Sequence, residues 1–568
     1  MLTITTRRLL ASSSSASSLT SSPFHQIKAF ISLLHTHNSA TEVNEAVSSF
    51  NKLLRTRTRP SVIEFNKLLS ALVKMKQFQT VISLSKQMEL VRIKPNIYTC
   101  NILINCFCHL ERVDLGFSVL SKIYKLGFQP SIVTFSTLIN GFCRDGKIGH
   151  AVDLFDKIEA MGHQPNVITY STIVNGLCKI GNMHVAVCLL KRMVEKGCEP
   201  DVVTYSAIID GLCKCNQVKE AFELFKEIKS REVLPNVITY NSLIHGLCYS
   251  SKWKEASALF EEMLVKNIVP DVVSYSILVD ELCKGGMIMK AQSMVSKMIQ
   301  TGVEPNVITY TSLIDGYGLH GQMHLAIKVF DVMKRKGCNP NVRTYNTLIN
   351  WYGKKKLIYE AKQLLYEMSS RDLVPNQYTY NSIIYGLCHA RRPWEALEFL
   401  KDSCASGYLP DVVTYSALLH GFCKNGHLDI AFSLFHEMEV RKLKPNAVTY
   451  TILIQGMCKA GRFKDVKKLL SRFFADGLQP TIYTYSIIID GLSKKGFLDE
   501  AYQIFRNMEN NLFSPNNCCY NVIIHGFLRR KDLAMAAKLI HEMRDKGFCA
   551  DNTTFALVAE NKDIVELL

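Results

Sequence analysis

Ten basic residues stand where they could hold a line of phosphates: Lys74, Arg144, Lys179, Lys214, Lys284, Lys354, Lys424, Lys459, Lys494 and Arg529 are separated by 35 residues or a multiple of it. Cations repeated at constant spacing suit a polyanion. They would equally complement the dipole at the carboxyl end of a helix, and spacing alone leaves both readings open. Cysteine is the other recurrent reactive residue, with 19 in the chain. Nine of them, Cys108, Cys143, Cys178, Cys213, Cys248, Cys283, Cys388, Cys423 and Cys458, fall at one place in the same period. One thiol per period does not supply the close ligand pairs of a zinc site, so these are expected to be small, buried packing residues. The closer pairs Cys106/Cys108, Cys213/Cys215 and Cys518/Cys519 lack histidines at metal spacing, and neither a metal nor a disulfide is expected. The chain contains no Gly-rich phosphate loop with its lysine, no paired zinc motif and no HxE with a downstream CxxC. No catalytic residue and no cofactor is therefore assigned, and the chain is expected not to be an enzyme.

The elements that would position the basic line are legible in the prolines. Thirteen of the sixteen, from Pro95 through Pro130 and Pro165 to Pro515, are each 35 residues apart, and an aromatic such as Phe135, Tyr170 or Tyr205 follows five residues later in nearly every case. Fourteen units of 35 residues run without insertion from Val62 to Asp551. In the unit Val167–Asp201, Tyr170, Ile173, Val174 and Leu177 are spaced as one face of a first helix, with Thr169 as its expected cap and Gly181 at its end. Ala186, Leu189, Leu190 and Met193 give the same face on a second helix, stopped by Gly197 and Pro200. Two short amphipathic helices cannot bury their faces alone, so consecutive pairs must stack. The polar side of the first helix carries Ser171, Asn175 and Lys179 at four-residue steps, which puts the basic line on one stripe. Ten units have glycine at their tenth position, among them Gly141, Gly176, Gly211 and Gly246. Glycine costs about 1 kcal/mol of helix propensity relative to alanine, so its recurrence predicts close helix approach. A loop that begins early is the other reading.

At 568 residues, 48% apolar and 21% charged, the chain has material for a continuous core, and its net charge of +17 favours an acidic partner. No stretch approaches the roughly 18 apolar residues of a membrane span. Residues 1–40 contain no Asp or Glu, carry Arg7, Arg8 and Lys28, and are Ser-rich from Ser12 to Ser22, which is the composition of a transit peptide. Mitochondrion is the first expectation and chloroplast the alternative. The expected organisation is a transit peptide over 1–40, a helical cap or degenerate repeat over 41–61, fourteen repeats over 62–551, and a partial repeat or cap over 552–568.

The units, as in VVTYSAIIDGLCKCNQVKEAFELFKEIKSREVLPN from Val202 to Asn236, resemble pentatricopeptide repeats. The aromatic-rich start, the GLCK-like end of the first helix and the proline comb carry that resemblance across Val62–Asp551, and the wording is similar to the P-type, restorer-of-fertility-like branch of plant mitochondrial members. The resemblance implies an all-α, right-handed α-solenoid superhelix of 35-residue helix-turn-helix repeats that binds single-stranded organellar RNA, one base per repeat, through the fifth and last residues of each unit. Those pairs are Asn66/Asn96, Asn101/Ser131, Ser136/Asn166, Ser171/Asp201, Ser206/Asn236, Asn241/Asp271, Ser276/Asn306, Thr311/Asn341, Asn346/Asn376, Asn381/Asp411, Ser416/Asn446, Thr451/Thr481, Ser486/Asn516 and Asn521/Asp551. Such residues also cap helices, which is the alternative reading. The family places an apolar second residue against each base, matched by Ile63, Val133, Ile168, Val203, Ile238, Val273, Ile308, Val413 and Val448. Tyr98, Tyr378 and Tyr483 could stack there, whereas Arg343 and Cys518 depart from the pattern. The role implied is processing, stabilisation or silencing of a mitochondrial transcript, with any cleavage supplied by a separate nuclease or other processing factor. The rival is a protein-binding scaffold of similar helix-pair design.

Overall fold

The computed structural model describes residues 40–55, 61–510 and 514–559. Among them are thirty helices and no strand. The expected transit segment and the last nine residues lie outside the described residues. A helix Ala40–Leu54 precedes the array, and a helix Asn552–Ala559 follows the last full unit.

Within the array nearly every helix is thirteen residues long, because start and stop signals recur at fixed places. The helix Val237–Tyr249 begins after Asn236, whose extended backbone lets its side-chain oxygen accept from the backbone N–H of Thr239. The capping residue is thus the last residue of the preceding unit. This corrects the expectation that Thr169 caps its helix: Asn166 does so, and Thr169 is a buried third-position residue whose hydroxyl donates to Asn166 Oδ1 at 2.8 Å. The extended residue before a helix can reach the free N–H groups; a residue already one turn inside cannot.

Among the described residues, the helices of the array close on a residue of positive φ. After the first helix this is the fifteenth residue of the unit, Gly in seven units (Gly181, φ 76°) and another residue in seven, such as Asn216 (φ 61°). After the second helix most of the corresponding residues are glycine, with Arg92, Glu232, Asn267, Asp372 and Lys442 the exceptions among those described.

The chain divides into two compact units, residues 1–274 and 275–568. In each, first helices stack on first helices and on their own second helices. The faces expected from the 3.6-residue period are the ones buried: Tyr170, Ile173, Val174 and Leu177 on one helix, Ala186, Leu189, Leu190 and Met193 on the next. Aromatic pairs knit one repeat to its successor, as in Phe225 against Tyr240 (5.3 Å, 84°) and Phe505 against Tyr520 (5.0 Å, 79°). Several buried tyrosines, Tyr240, Tyr345, Tyr415 and Tyr520 among them, donate their hydroxyls to a glutamate at the edge of the core. Tyr240 donates to Glu262 at 2.9 Å, and Lys229 from the preceding repeat donates to the same carboxylate at 2.7 Å.

The tenth-position glycines lie inside their helices, so the early-loop reading is excluded. A Cβ on Gly246 would stand 2.6 Å from Cys213 Sγ and 2.7 Å from Cys213 Cβ; on Gly421 it would stand 2.6 Å from Cys388 Sγ. The recurrent glycine and the recurrent cysteine are therefore two halves of one contact between successive first helices. Burial pushes these thiols up, to about 12 for Cys213 and Cys388, and none of the described cysteines is in a disulfide. Among the described residues no cluster of three metal-ligating side chains occurs, and no helix is long and apolar enough to cross a membrane.

Candidate nucleic-acid interface

At four junctions the amide of a unit's fifth residue donates to the side chain of that unit's last residue, which stands directly before the next first helix. Asn66 Nδ2 donates to Asn96 Oδ1 at 2.9 Å, Asn241 to Asp271 at 3.1 Å, Asn346 to Asn376 at 3.1 Å and Asn381 to Asp411 at 3.2 Å. Asn521 is joined differently, its Oδ1 accepting from the Asp551 backbone N–H at 3.0 Å. Where the fifth residue is Ser or Thr the side chain is too short to reach its partner. Ser206 Oγ instead lies 2.7 Å from Thr239 Oγ1, which donates to Asn236 Oδ1 at 3.1 Å.

At the other nine junctions no hydrogen bond joins the fifth and last residues of the unit; Asn306, Asn446, Thr481 and Asn516 are among the last residues that stand there as helix caps, the role that the sequence left open beside base reading. Asn306 Oδ1 accepts from the backbone N–H groups of Ile308 and Thr309 at 2.9 and 3.0 Å, and Asn446 Oδ1 from that of Thr449 at 3.0 Å. Thr481 Oγ1 accepts from the Thr484 N–H at 3.3 Å, and Asn516 Oδ1 from the Cys519 N–H at 3.0 Å. Their fifth-position partners turn to the third residue of the next unit: Ser276 to Thr309 at 2.8 Å, Ser416 to Thr449 at 3.1 Å, Thr451 to Thr484 at 2.8 Å and Ser486 to Cys519 Sγ at 3.0 Å. Asn166, Asp201 and Asn341 are caps of the same kind. Capping consumes the amide oxygen of Asn306, Asn446 and Asn516 and leaves the Nδ2 donors without a partner among the described residues. Thr481 differs, since its one hydroxyl is engaged by both the N–H and the hydroxyl of Thr484.

A third residue therefore completes the polar group: the third of the following unit, usually threonine and buried. Ser274 Oγ donates to Asn241 Oδ1 at 2.6 Å and to Asp271 Oδ1 at 3.0 Å, and Thr379 repeats this with Asn346 at 2.6 Å. It fixes the amide with its oxygen inward and its N–H groups toward the last residue of the unit. The sequence carried the signal as a Thr three residues after nearly every unit end, and reading Thr169 as a cap hid it.

The fifth residues are buried or half-buried, while the last residues are more open, with Asn446, Thr481 and Asn516 exposed and Asn306 half-buried. Burial raises the Asp271 pKa, but the Ser274 N–H, the Asn241 amide and the Ser274 hydroxyl outweigh it, so the carboxyl is held below its ordinary 3.8. Asp411 is lowered by the same arrangement around Thr414 and Asn381. Both present a carboxylate, an acceptor only, near neutral pH.

On either side of each polar group stands an exposed second-position residue. Ile238 is 61% and Val273 52% exposed, and Ile63, Val133, Ile168, Val203, Ile308, Val413 and Val448 are likewise open, with Tyr98, Tyr378 and Tyr483 in the same row. An apolar side chain held in solvent in nine units is unfavourable for the free chain and suits a flat apolar surface set between two of them. Arg343 and Cys518 are exposed in this row without offering such a face.

All ten stripe cations are exposed, but they are not equivalent. Lys214, Lys284 and Lys494 are bound to the aspartate one turn earlier, Asp210, Asp280 and Asp490, at 2.6, 2.7 and 2.7 Å. Lys354 lies over the Trp351 ring at 4.2 Å, and Arg144 contacts His109 at 3.1 Å. Lys74, Lys179, Lys424, Lys459 and Arg529 form no ion pair with any described residue.

Stacked helix pairs that present a recurring polar group, apolar flank and cation define an α-solenoid repeat protein. The chain belongs to the PPR repeat family: the model of that description matches residues 60–109, 95–144, 130–179, 168–214, 201–249, 235–284, 340–389, 410–459, 448–494, 480–527 and 515–558. A pentatricopeptide repeat domain model matches 293–355, and a PPR repeat model matches 273–303 and 378–408. Among curated relatives, the pentatricopeptide repeat-containing protein At1g62680, mitochondrial, of Arabidopsis thaliana is 44% identical over 50 residues, 9% of each chain. The similarly named At1g62670, mitochondrial, from the same plant is 47% identical over 51 residues, 9% of this chain and 8% of the relative. These alignments thus span about a tenth of either protein. The crystal structure of the pentatricopeptide repeat protein PPR10 from maize shares the fold, with a TM-score of 0.61 at 22% identity over 94% of this chain and 86% of that one.

Proposed function

We propose that the chain binds single-stranded RNA by sequence, one base per repeat, and acts in processing, stabilising or silencing a mitochondrial transcript without cutting it. The observation that carries this reading is the junction of Asn241 and Asp271, a donor and a carboxylate side by side between exposed Ile238 and Val273. With the Asn241 oxygen engaged by Ser274, what remains for a ligand is an N–H donor next to an acceptor, the complement of a base edge that offers a carbonyl beside a ring N–H. The amide reaches a pyrimidine; a shorter side chain leaves room for a purine. At the units ending in Asn306, Asn446 and Asn516, the donor offered to a base is the Nδ2 group of the capping residue itself. Carried through fourteen units with the first toward the 5′ end, the family code gives a site near 5′-YYAGAUAAYUANAU-3′, N marking Thr451/Thr481.

The test is Asn241→Thr, with binding to RNAs carrying U or G at the sixth base measured at one salt concentration. Preference moves from U to G, and because a well-made polar base contact is worth on the order of 1–3 kcal/mol the affinity ratio shifts at least several-fold. An unchanged ratio sinks the register of every assignment. For location, the acid-free residues 1–40 and the mitochondrial names of relatives support import into mitochondria. A fluorescent reporter fused to that segment checks this, and a cytosolic or purely chloroplast signal overturns it. A separate nuclease would supply any cleavage.

A further inference from the structure

Thr451 and Thr481 are the one pair of the fourteen that contains neither an amide nor a carboxylate. Their hydroxyls are also spent inside the chain. Thr451 Oγ1 donates to the Ala447 carbonyl at 2.7 Å and lies 2.8 Å from Thr484 Oγ1, while Thr481 Oγ1 is engaged by the Thr484 N–H and hydroxyl. Yet the flanks of a base site are intact there: Val448 is 59% and Tyr483 63% exposed, an aliphatic face on one side and an aromatic one on the other. A cavity of about 480 Å³, shared with the preceding unit, is lined by these four residues and by a fifth, Gln455. Gln455 stands four residues after Thr451, one turn along the same face of the helix Ala447–Ala460. It is half-buried, and its amide forms no hydrogen bond with any described residue. At this ninth place the other units carry Asn four times, with Asp, His, Ser or Tyr in the rest; Gln occurs once, in the unit whose own pair has nothing to offer.

We infer that Gln455 reads the twelfth base in place of Thr451 and Thr481, and that the base it takes is a purine. The inference rests on the RNA-binding reading above. Thr451 is short and turned into the chain, and Gln455 starts one turn further on, so a two-ring base spans a gap that a pyrimidine leaves open. A glutamine amide sets a donor beside an acceptor. Against adenine its Oε1 accepts from N6–H while Nε2 donates to N1 or N7; turned over against guanine, Nε2 donates to O6 while Oε1 accepts from N1–H. No partner among the described residues fixes the amide one way round, so both purines are accepted.

The test uses full-length protein and four RNAs of the proposed site that differ only at the twelfth base, all at one salt concentration. Wild type binds the A and G forms alike and at least several-fold more tightly than the U and C forms. Gln455→Leu, which keeps much of the volume and removes the amide, binds all four equally. Gln455→Glu keeps the length but only accepts, so it favours guanine, whose N1–H and N2–H both donate, over adenine, which has the single amino donor. That gain of preference cannot come from a residue that merely packs. Discrimination between U and G at the sixth base, measured in the same proteins, stays as in wild type and shows that both variants remain folded. Equal binding of the four RNAs by wild type, a purine preference that survives Gln455→Leu, or an A-to-G ratio unmoved by Gln455→Glu would overturn the inference. If wild type also ignores the sixth base and Asn241→Thr has no effect, the failure belongs to the RNA-binding reading itself; indifference at the twelfth base alone counts only against Gln455.

Discussion

Asn236 belongs to two repeats at once: it closes the polar group of its own unit and caps the helix Val237–Tyr249 of the next. The last position of a unit is therefore limited by helix physics as well as by any ligand, and Asn, Asp, Ser and Thr, the types found there, are also the residues that cap best. Asn236→Ala is expected to lower stability by about 1 kcal/mol in urea unfolding, whereas Asn236→Asp keeps the cap and alters only recognition. Equal losses from both substitutions would show that the cap contributes nothing. At this scale the sequence displayed the polar pairs but not their dual use: Asn306 and Asn446, like Asn236, accept both from a backbone N–H of the next helix and from the hydroxyl of its third residue. Spacing cannot distinguish a residue just outside a helix from one just inside it when both are good caps, which is why Thr169 reads as the cap in place of Asn166.

Between elements, fit outweighs propensity. Replacing Gly246 by alanine gains roughly 1 kcal/mol of helix propensity but drives a methyl into Cys213, an overpacking of about 1–3 kcal/mol, so a net loss of stability is expected. A double-mutant cycle with Cys213→Gly should show a favourable coupling between the two changes, and strict additivity would mean that the helices simply move apart. Periodicity alone placed both residues and predicted close approach; that glycine and cysteine meet each other required the register between helices, which no single repeat contains. A charged contact gives a second test. Arg506, hydrogen-bonded to Glu542 at 2.7 and 2.6 Å, holds that carboxyl at about 2 against its ordinary 4.5. A lowered carboxyl pKa adds stability that is complete above pH 4.5 and is lost as pH falls toward 2. The stability difference between wild type and Glu542→Gln, followed by urea denaturation, should be constant at neutral pH and shrink across that acid range.

Across the molecule, a net charge of +17 resolves into paired and unpaired cations. Neutralising Lys74, Lys179, Lys424 and Lys459 together should lower the log–log salt slope of RNA binding by about 3, at roughly 0.7 per contact, whereas neutralising Lys214, Lys284 and Lys494 should change it less because aspartates already hold them. Equal effects would show that the ion pairs open when RNA arrives. The ten-cation line was visible in the sequence, but its division was not, since Asp210, Asp280 and Asp490 bear on it only once the helix puts them one turn from the lysines. One junction also departs from the common fit: Gly318 occupies the place of the cysteine and Trp351 that of the glycine, the indole filling space where a Cβ on Gly318 would lie 2.3 Å from Trp351 Cδ1. Large and small have changed sides. A repeat cut out at its own ends and transplanted elsewhere would therefore carry half of a matched pair, so the interchangeable module, for recombination between genes or for design, runs from the middle of one first helix to the middle of the next.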